Sequence, residues 1–222
     1  MKIGIQGELG AYSHIAANNL YDNVELKTCS TFEETFKQAY GDENYKIIIT
    51  IENSLACRVA DIHYLLPKYK LQIHGEYFLN VEHNLLCKPE ATLNDIKYVR
   101  SHAQAIGQCQ NIINKRKFKS IISADTAGSA KDLADGNDKT IAAIASELSS
   151  KIYKLKILEK NVEDEKGNVT RFLIMGKNIE QPEFKKEKKY ITSCIFRLKS
   201  EPSALYKCLG GFATNQVNLT KL

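Results

Sequence analysis

Two stretches far apart in the chain carry the residue types that suit chemistry: Asn168-Val169-Thr170-Arg171-Phe172 and Thr50-Ile51-Glu52-Asn53-Ser54. Each places small hydroxyl and amide side chains beside a charged one at the edge of an apolar run, where an α/β protein usually exposes its reacting groups. They read as two walls of one anion pocket. Periodicity alone leaves a plainer alternative, in which Thr170 and Arg171 are β-propensity plus a surface charge.

Ser13, Asn53, Ser54, Ser101 and Thr126 stand where a loop enters a helix pattern. Such residues are N-caps that accept backbone N–H bonds. The same helix starts also attract carboxylates, so several of them facing one cleft would suit a dianion. Glu52 is costly to bury alone, which makes it a structural ion pair or a strand-end acid unless a ligand uses it. Gln104 also serves as the second half of a Ser101-x-x-Gln104 capping box, and His102 at the same helix start is open to a structural or a functional reading.

The elements that must position these groups alternate. Lys2–Gln6, Val24–Lys27, Lys46–Ile51, Leu71–Phe78, Lys97–Arg100, Ser120–Ser123, Thr140–Ala145 and Arg171–Met175 read as strands, with helix patterns between them. Thr31 and Glu34 form a TxxE capping box. Alternation of this kind predicts parallel sheets covered by helices. Two α/β lobes follow, with the break near Leu79–Asn84 and a return crossing near Ile157–Val162. Gly4, Gly7 and Gly10 are spaced GxxGxxG rather than GxGxxG, and Val24-Glu25-Leu26-Lys27 carries its acid in mid-strand, which argues against a dinucleotide site.

The 222 residues, 43% hydrophobic and 26% charged, are those of an ordinary globular chain. No run approaches the twenty or so apolar residues of a membrane span, and Met1-Lys2-Ile3-Gly4-Ile5-Gln6 reads as a strand rather than a leader, so a cytoplasmic location is expected. Cys29, Cys57, Cys87, Cys109, Cys194 and Cys208 show no CxxC pairing, which points to buried thiols rather than zinc or disulfides. The net charge of +5 owes much to Lys185-Lys186-Glu187-Lys188-Lys189, a solvated linker rather than a nucleic-acid face.

Read in order, Gln6-Gly7-Glu8-Leu9-Gly10-Ala11-Tyr12-Ser13, Ile51 to Ser54, Ser101-His102-Ala103-Gln104-Ala105, Asp125-Thr126-Ala127, Ala142 to Ser146 and Asn168 to Phe172 resemble the prephenate dehydratases almost end to end. The resemblance implies a two-lobed α/β fold similar to periplasmic binding proteins over residues 1–180, with one lobe at about 1–78 and 160–180 and the other at 79–159. It implies a linker at 181–189 and the start of a regulatory ACT module at 190–222, with a strand at Tyr190–Leu198, a helix at Ser203–Phe212 and another strand from Val217. Ile195, Phe196, Leu205, Leu209 and Phe212 would then need more chain, or a neighbouring chain, to complete their packing.

The implied activity is the decarboxylating dehydration of prephenate to phenylpyruvate, without metal or cofactor. Thr170 is then the residue tied to catalysis and Arg171 the one tied to a substrate carboxylate. Ser13, Glu52, Asn53, Ser54, Ser101, Gln104 and Thr126 bind substrate, and Phe172, also counted in the site, turns the other way into the core. L-phenylalanine is the implied effector, near Ser203, Ala204, Leu205 and Asn218, in a homodimer or homotetramer. Arogenate dehydratase and a non-catalytic sensor of aromatic amino acids are the rival readings. Cys57 stands where the family's Asn-Ser-x-x-Gly has glycine, and Pro202-Ser203-Ala204-Leu205 replaces its Pro-Gly-Ala-Leu.

Overall fold

The computed structural model describes residues 1–55, 57–178 and 183–220. Two compact units emerge, Met1–Gln181 and Pro182–Leu222. The first begins with β1 (Lys2–Gln6), α1 (Tyr12–Leu20), β2 (Glu25–Cys29), α2 (Phe32–Gly41), β3 (Tyr45–Asn53), β4 (Cys57–Arg58), α3 (Ala60–Tyr69) and β5 (Gln72–Asn80). It continues through β6 (Asn84–Cys87), β7 (Tyr98–His102), α4 (Ala103–Gly107), α5 (Gln110–Arg116), β8 (Lys119–Ser123) and α6 (Thr126–Asp135). β9 (Ile141–Ala145), α7 (Glu147–Ile152), β10 (Lys156–Glu159) and β11 (Val169–Gly176) close it.

One sheet has the order β2-β1-β3-β11-β5, with β4 added on β3, and the other the order β10-β6-β9-β7-β8. Both are mixed rather than parallel: β11 runs antiparallel to β3 and to β5, and β6 antiparallel to β9 and β10. β6 was not among the expected strands and β10 overlaps the expected return crossing near Ile157–Val162; both are short runs without alternation, so their pairing is visible only in the sheet. Ile47 and Ile49 pack with Phe36, Ile62 and Met175 on one face of the first sheet, while Ile48 packs with Ile3, Ile5 and Phe172 on the other. Helices cover both faces of β3, which is why its centre is a continuous apolar run instead of an alternating one. Each such fully buried side chain contributes about 1.5–3 kcal/mol.

Local signals hold at α2, where Thr31 Oγ1 accepts from Glu34 N–H at 3.1 Å, but the Glu34 carboxylate returns to Ser30 N–H at 2.9 Å, one residue before the cap. At α4 the cap is His102, whose Nδ1 accepts from Gln104 N–H, and not Ser101. Cys57 pairs with Asn53 in β4, a ladder position rather than a glycine turn.

The crossings between sheets lie side by side, since Val81 N–H donates to the Asn168 carbonyl at 2.7 Å. A second tie joins the loop after β1 to α7. Ser146 Oγ and Ser149 Oγ both donate to the Gly10 carbonyl, at 2.6 and 3.1 Å, and Tyr153 Oη donates to Leu9 O at 2.9 Å. Among the described residues no helix is long and apolar enough to cross a membrane.

The second unit contains α8 (Ala204–Thr214), whose cap Ser203 has φ +67°. Tyr190–Leu198, expected as a strand, has no sheet partner among the described residues. Its apolar side chains Ile195 and Phe196, with Leu205 of α8, are exposed, and Phe196 meets Phe212 ring to ring at 6.1 Å. Cys194 is exposed and Cys208 half-buried, unlike the buried Cys29, Cys87 and Cys109, because this unit has little interior of its own.

Candidate functional site

A cleft of about 370 Å³ opens between the two sheets. Its floor is Thr170 and Phe172 of β11, with Thr50 and Asn53 of β3. Its rim is the first turn of α1 at Tyr12 and Ser13, the start of α4 at His102 and Gln104, and the start of α6 at Asp125 and Thr126. First-turn N–H groups lack carbonyl partners inside their helix and carry the positive end of its dipole. Among the described residues the lining includes no Lys or Arg. Negative charge entering here meets helix starts, amides and hydroxyls instead of side-chain cations.

Ser13, Asn53, Gln104, Thr126, Thr170 and Phe172 are therefore brought together. Thr170 and Phe172 share one face of β11, and Phe172 reaches from the cleft floor into the core around Ile3 and Ile5. The residue turned away is Arg171. Strand alternation sends its side chain to the opposite face, where Nε and Nη2 hold Glu76 at 2.7 and 2.6 Å, Nη1 lies 3.8 Å from Glu52, and the guanidinium sits over the Phe78 ring.

Glu52 pairs opposite Arg171 in the sheet, outside the cleft. Ser54 closes the return crossing, accepting from Val169 N–H at 2.9 Å. Ser101 is 0% exposed and donates to the Ile144 carbonyl at 2.7 Å, a bond internal to the second sheet. These four side chains do not line the cleft because each is spent inside its own sheet or crossing.

The register Thr170↔Asn53 places the floor hydroxyl against an amide. Asn53 Nδ2 donates to Thr170 Oγ1 at 2.8 Å and to Asn168 Oδ1 at 2.6 Å. Asn168 Nδ2 donates to Gln108 Oε1 at 2.9 Å, and the same oxygen lies 2.9 Å from His83 Nε2. Tyr12 Oη completes the row, 2.8 Å from both His83 Nδ1 and the Glu82 carbonyl. Burial holds the His83 imidazole below the usual histidine range, opposed by its Gln108 bond and the Glu163 carboxylate. Burial, and then the nearby Cys109, Glu163 and Glu82, push the Tyr12 phenol well above its ordinary value.

Tyr12, His83, Gln108 and Asp125 are polar lining residues to which the sequence analysis gave no role in the site. Gln108 follows Gln104 by four residues and so shares its helix face, a signal available in the sequence. Tyr12 stands beside Ser13 in the family string, whereas His83 gave no signal, being a single residue that long-range folding brings to the cleft. Among the described residues no cluster of His, Cys, Asp and Glu is placed to hold a metal.

Comparison with known proteins agrees with this architecture. The family model described as prephenate dehydratase matches residues 3–180. The chain is 38% identical to a Komagataeibacter europaeus protein named bifunctional N-acyl-homoserine lactone acylase/prephenate dehydratase, over 99% of this chain and 78% of that one. It is 36% identical to the Methanocaldococcus jannaschii prephenate dehydratase, over 96% and 78%. It is 37% identical to the Arabidopsis thaliana chloroplastic arogenate dehydratase/prephenate dehydratase 2, over 100% of this chain but only 58% of that one. The solved prephenate dehydratase of Arthrobacter aurescens in complex with L-Phe superimposes with a TM-score of 0.86 at 22% identity, covering 100% of this chain and 74% of that one, and shares its two-lobed fold.

Proposed function

Because the chain belongs to the prephenate dehydratase family, we propose that its cleft converts prephenate to phenylpyruvate, water and carbon dioxide, with Thr170 as the contact to the departing hydroxyl. The observation that carries this reading is the Asn53 Nδ2 bond to Thr170 Oγ1 at 2.8 Å on the floor of a cleft rimmed by helix starts. With its oxygen already accepting, Thr170 has its own O–H to offer.

The substrate holds the driving force, because loss of the ring carboxylate makes the ring aromatic. The C–C bond electrons enter the ring as carbon dioxide leaves, and the C–O bond across the ring breaks with its pair on oxygen. One proton is consumed to make water. Thr170 supplies a hydrogen bond to that oxygen as charge grows on it. The start of α1, which has no side-chain cap, suits the pyruvyl carboxylate, while a firm clamp on the ring carboxylate would stabilise the ground state and slow its loss. Incubating purified protein with prephenate and following phenylpyruvate is the test, and absence of turnover at any pH between 6 and 9 would end the reading.

Arogenate is a second candidate substrate, favoured by one observation. Asp125 is the carboxylate in the lining among the described residues, and an acid is the partner that arogenate's ammonium calls for. Parallel assays of both substrates on the unaltered protein and Asp125→Asn decide this. A selective loss of arogenate turnover supports the acid's role, and equal losses refute it.

For the second unit the reading is regulatory, with phenylalanine as effector near Ser203, Ala204, Leu205 and Asn218 and a homodimer or homotetramer in the cytoplasm. It rests on the resemblance of residues 190–222 to the start of an ACT module, in which Pro202-Ser203-Ala204-Leu205 departs from the family's Pro-Gly-Ala-Leu. A phenylalanine titration of turnover, with sedimentation to give the mass, tests both.

A further inference from the structure

We propose that His83 is a positioning residue for this reaction, held as the Nε2–H tautomer and setting, through Gln108, Asn168 and Asn53, the direction in which the Thr170 hydroxyl donates its hydrogen bond. The inference rests on the dehydratase reading for its consequence but on hydrogen-bond polarity alone for its structural content.

That polarity starts at a backbone group. Leu55 N–H donates to Asn53 Oδ1 at 3.0 Å, and a backbone nitrogen can only donate, so the other end of the amide, Nδ2, faces the cleft. The two protons of Nδ2 go to Asn168 Oδ1 and Thr170 Oγ1. Asn168 then has its Nδ2 turned to Gln108, which must answer with Oε1. The same Oε1 faces His83 Nε2, so that ring nitrogen must carry a proton. Turning any single amide over would set donor against donor or acceptor against acceptor, each leaving a buried polar group unsatisfied.

The groups are buried enough for this to bind: His83 is 3% exposed, Asn168 2% and Thr170 6%. At the far end of the imidazole, Nδ1 lies 2.8 Å from Tyr12 Oη, whose single proton is shared between Nδ1 and the Glu82 carbonyl and whose ring packs edge-on against the imidazole at 5.7 Å. His83 stands on the outgoing crossing between the sheets and Asn168 on the returning one. The row thus links both crossings to the catalytic hydroxyl, and among the described residues Thr170 has no acceptor for its own proton. That proton is left to point into the cleft.

The test has two independent readouts on the full chain. Long-range proton–nitrogen correlation spectra of 15N-labelled protein report the tautomer, with His83→Gln identifying the His83 signal among the five histidines. The expected result is a neutral ring protonated at Nε2. A ring protonated at Nδ1 alone overturns the proposal, whatever the protein's activity. In prephenate assays His83→Leu should lose roughly tenfold or more in kcat with KM changed less than about threefold, the mark of an interaction felt in the transition state. His83→Gln, whose amide nitrogen can donate where Nε2 did, should recover most of that loss. A kcat for His83→Leu within about twofold of the unaltered protein, or equal losses in both variants, overturns the proposal. If His83→Leu does not fold, the tautomer decides. If the unaltered protein turns over no prephenate, the functional reading fails while the tautomer still stands or falls by itself.

Discussion

Arg171 Nη2 lies 2.6 Å from Glu76 Oε2, so the guanidinium fork of the Thr-Arg-Phe string grips a carboxylate on the neighbouring strand β5 rather than the cleft. Both side chains are partly buried, and Glu52 lies on the other side of the same cation. Arg171→Met removes the positive charge that Glu52 and Glu76 share. A loss of about 1–3 kcal/mol in unfolding free energy is expected, with KM for prephenate changed less than about threefold. A large KM increase in a stable variant would return Arg171 to the role of a substrate clamp.

Thr170→Ala removes the hydroxyl and leaves Asn53 Nδ2 facing a methyl group. Turnover should fall by on the order of a hundredfold or more with the circular dichroism spectrum unchanged, as for loss of a positioned proton-transfer contact. Thr170→Ser keeps the oxygen and should lie between the two. Steady-state kinetics on folded protein settle the matter, and full activity in Thr170→Ala refutes the assignment.

Gly10 has φ +92°, and a Cβ there would meet Ser149 Oγ at 2.4 Å and Ser149 Cα at 2.8 Å. Gly10→Ala therefore adds backbone strain to a collision across the tie between the loop after β1 and α7. About 1–3 kcal/mol should be lost in urea unfolding, the usual cost of a strained backbone residue. An unchanged midpoint would mean the tie gives way at no cost.

Ser203 adopts φ +67° at the start of α8, the position where the family string carries glycine. A side chain in the left-handed region costs about 1–2 kcal/mol. Ser203→Gly should stabilise the second unit by roughly half of that, since the greater freedom of glycine in the unfolded chain offsets part of the relieved strain. Proteolytic susceptibility of residues 183–220 reads this directly, and faster cleavage in the variant would contradict it.

His14 and His83 both have folded-state values lowered, foremost by burial, against about 6.5 in an unfolded chain. Below about pH 6.5 the unfolded state binds more protons at these rings than the native state does, so stability falls as pH drops from there toward the folded values. Tyr12 acts at the other end: its phenol is raised well above ordinary, so stability falls as pH rises past about 10, where the unfolded chain ionises first. Urea midpoints should decline on both sides. A midpoint rising between pH 7 and 5 would be the contrary result.

Much of the architecture was legible in the linear chain. Eight strand runs were readable because β-branched and apolar residues cluster between turn and cap residues, and Thr31 marked the start of α2 by its hydroxyl. β6 and β10 were not readable, being short segments whose extended form depends on neighbouring strands. At the site, the ordered match to the family strings pointed to Thr170, Asn53, Ser13, Gln104 and Thr126, since hydroxyls and amides at element edges serve equally well as helix caps or strand residues.

The sequence by itself determined that this is an α/β chain of the dehydratase pattern, and it marked Thr170 as the candidate for the reacting contact. Only the tertiary structure decided that Arg171 turns from the cleft, that Ser101 and Ser54 are spent within their own sheet and crossing, and that Tyr12, His83 and Gln108 stand in line with Asn168. The reason is physical: composition and spacing report which groups can donate or accept, whereas strand register and the meeting of distant crossings choose their partners.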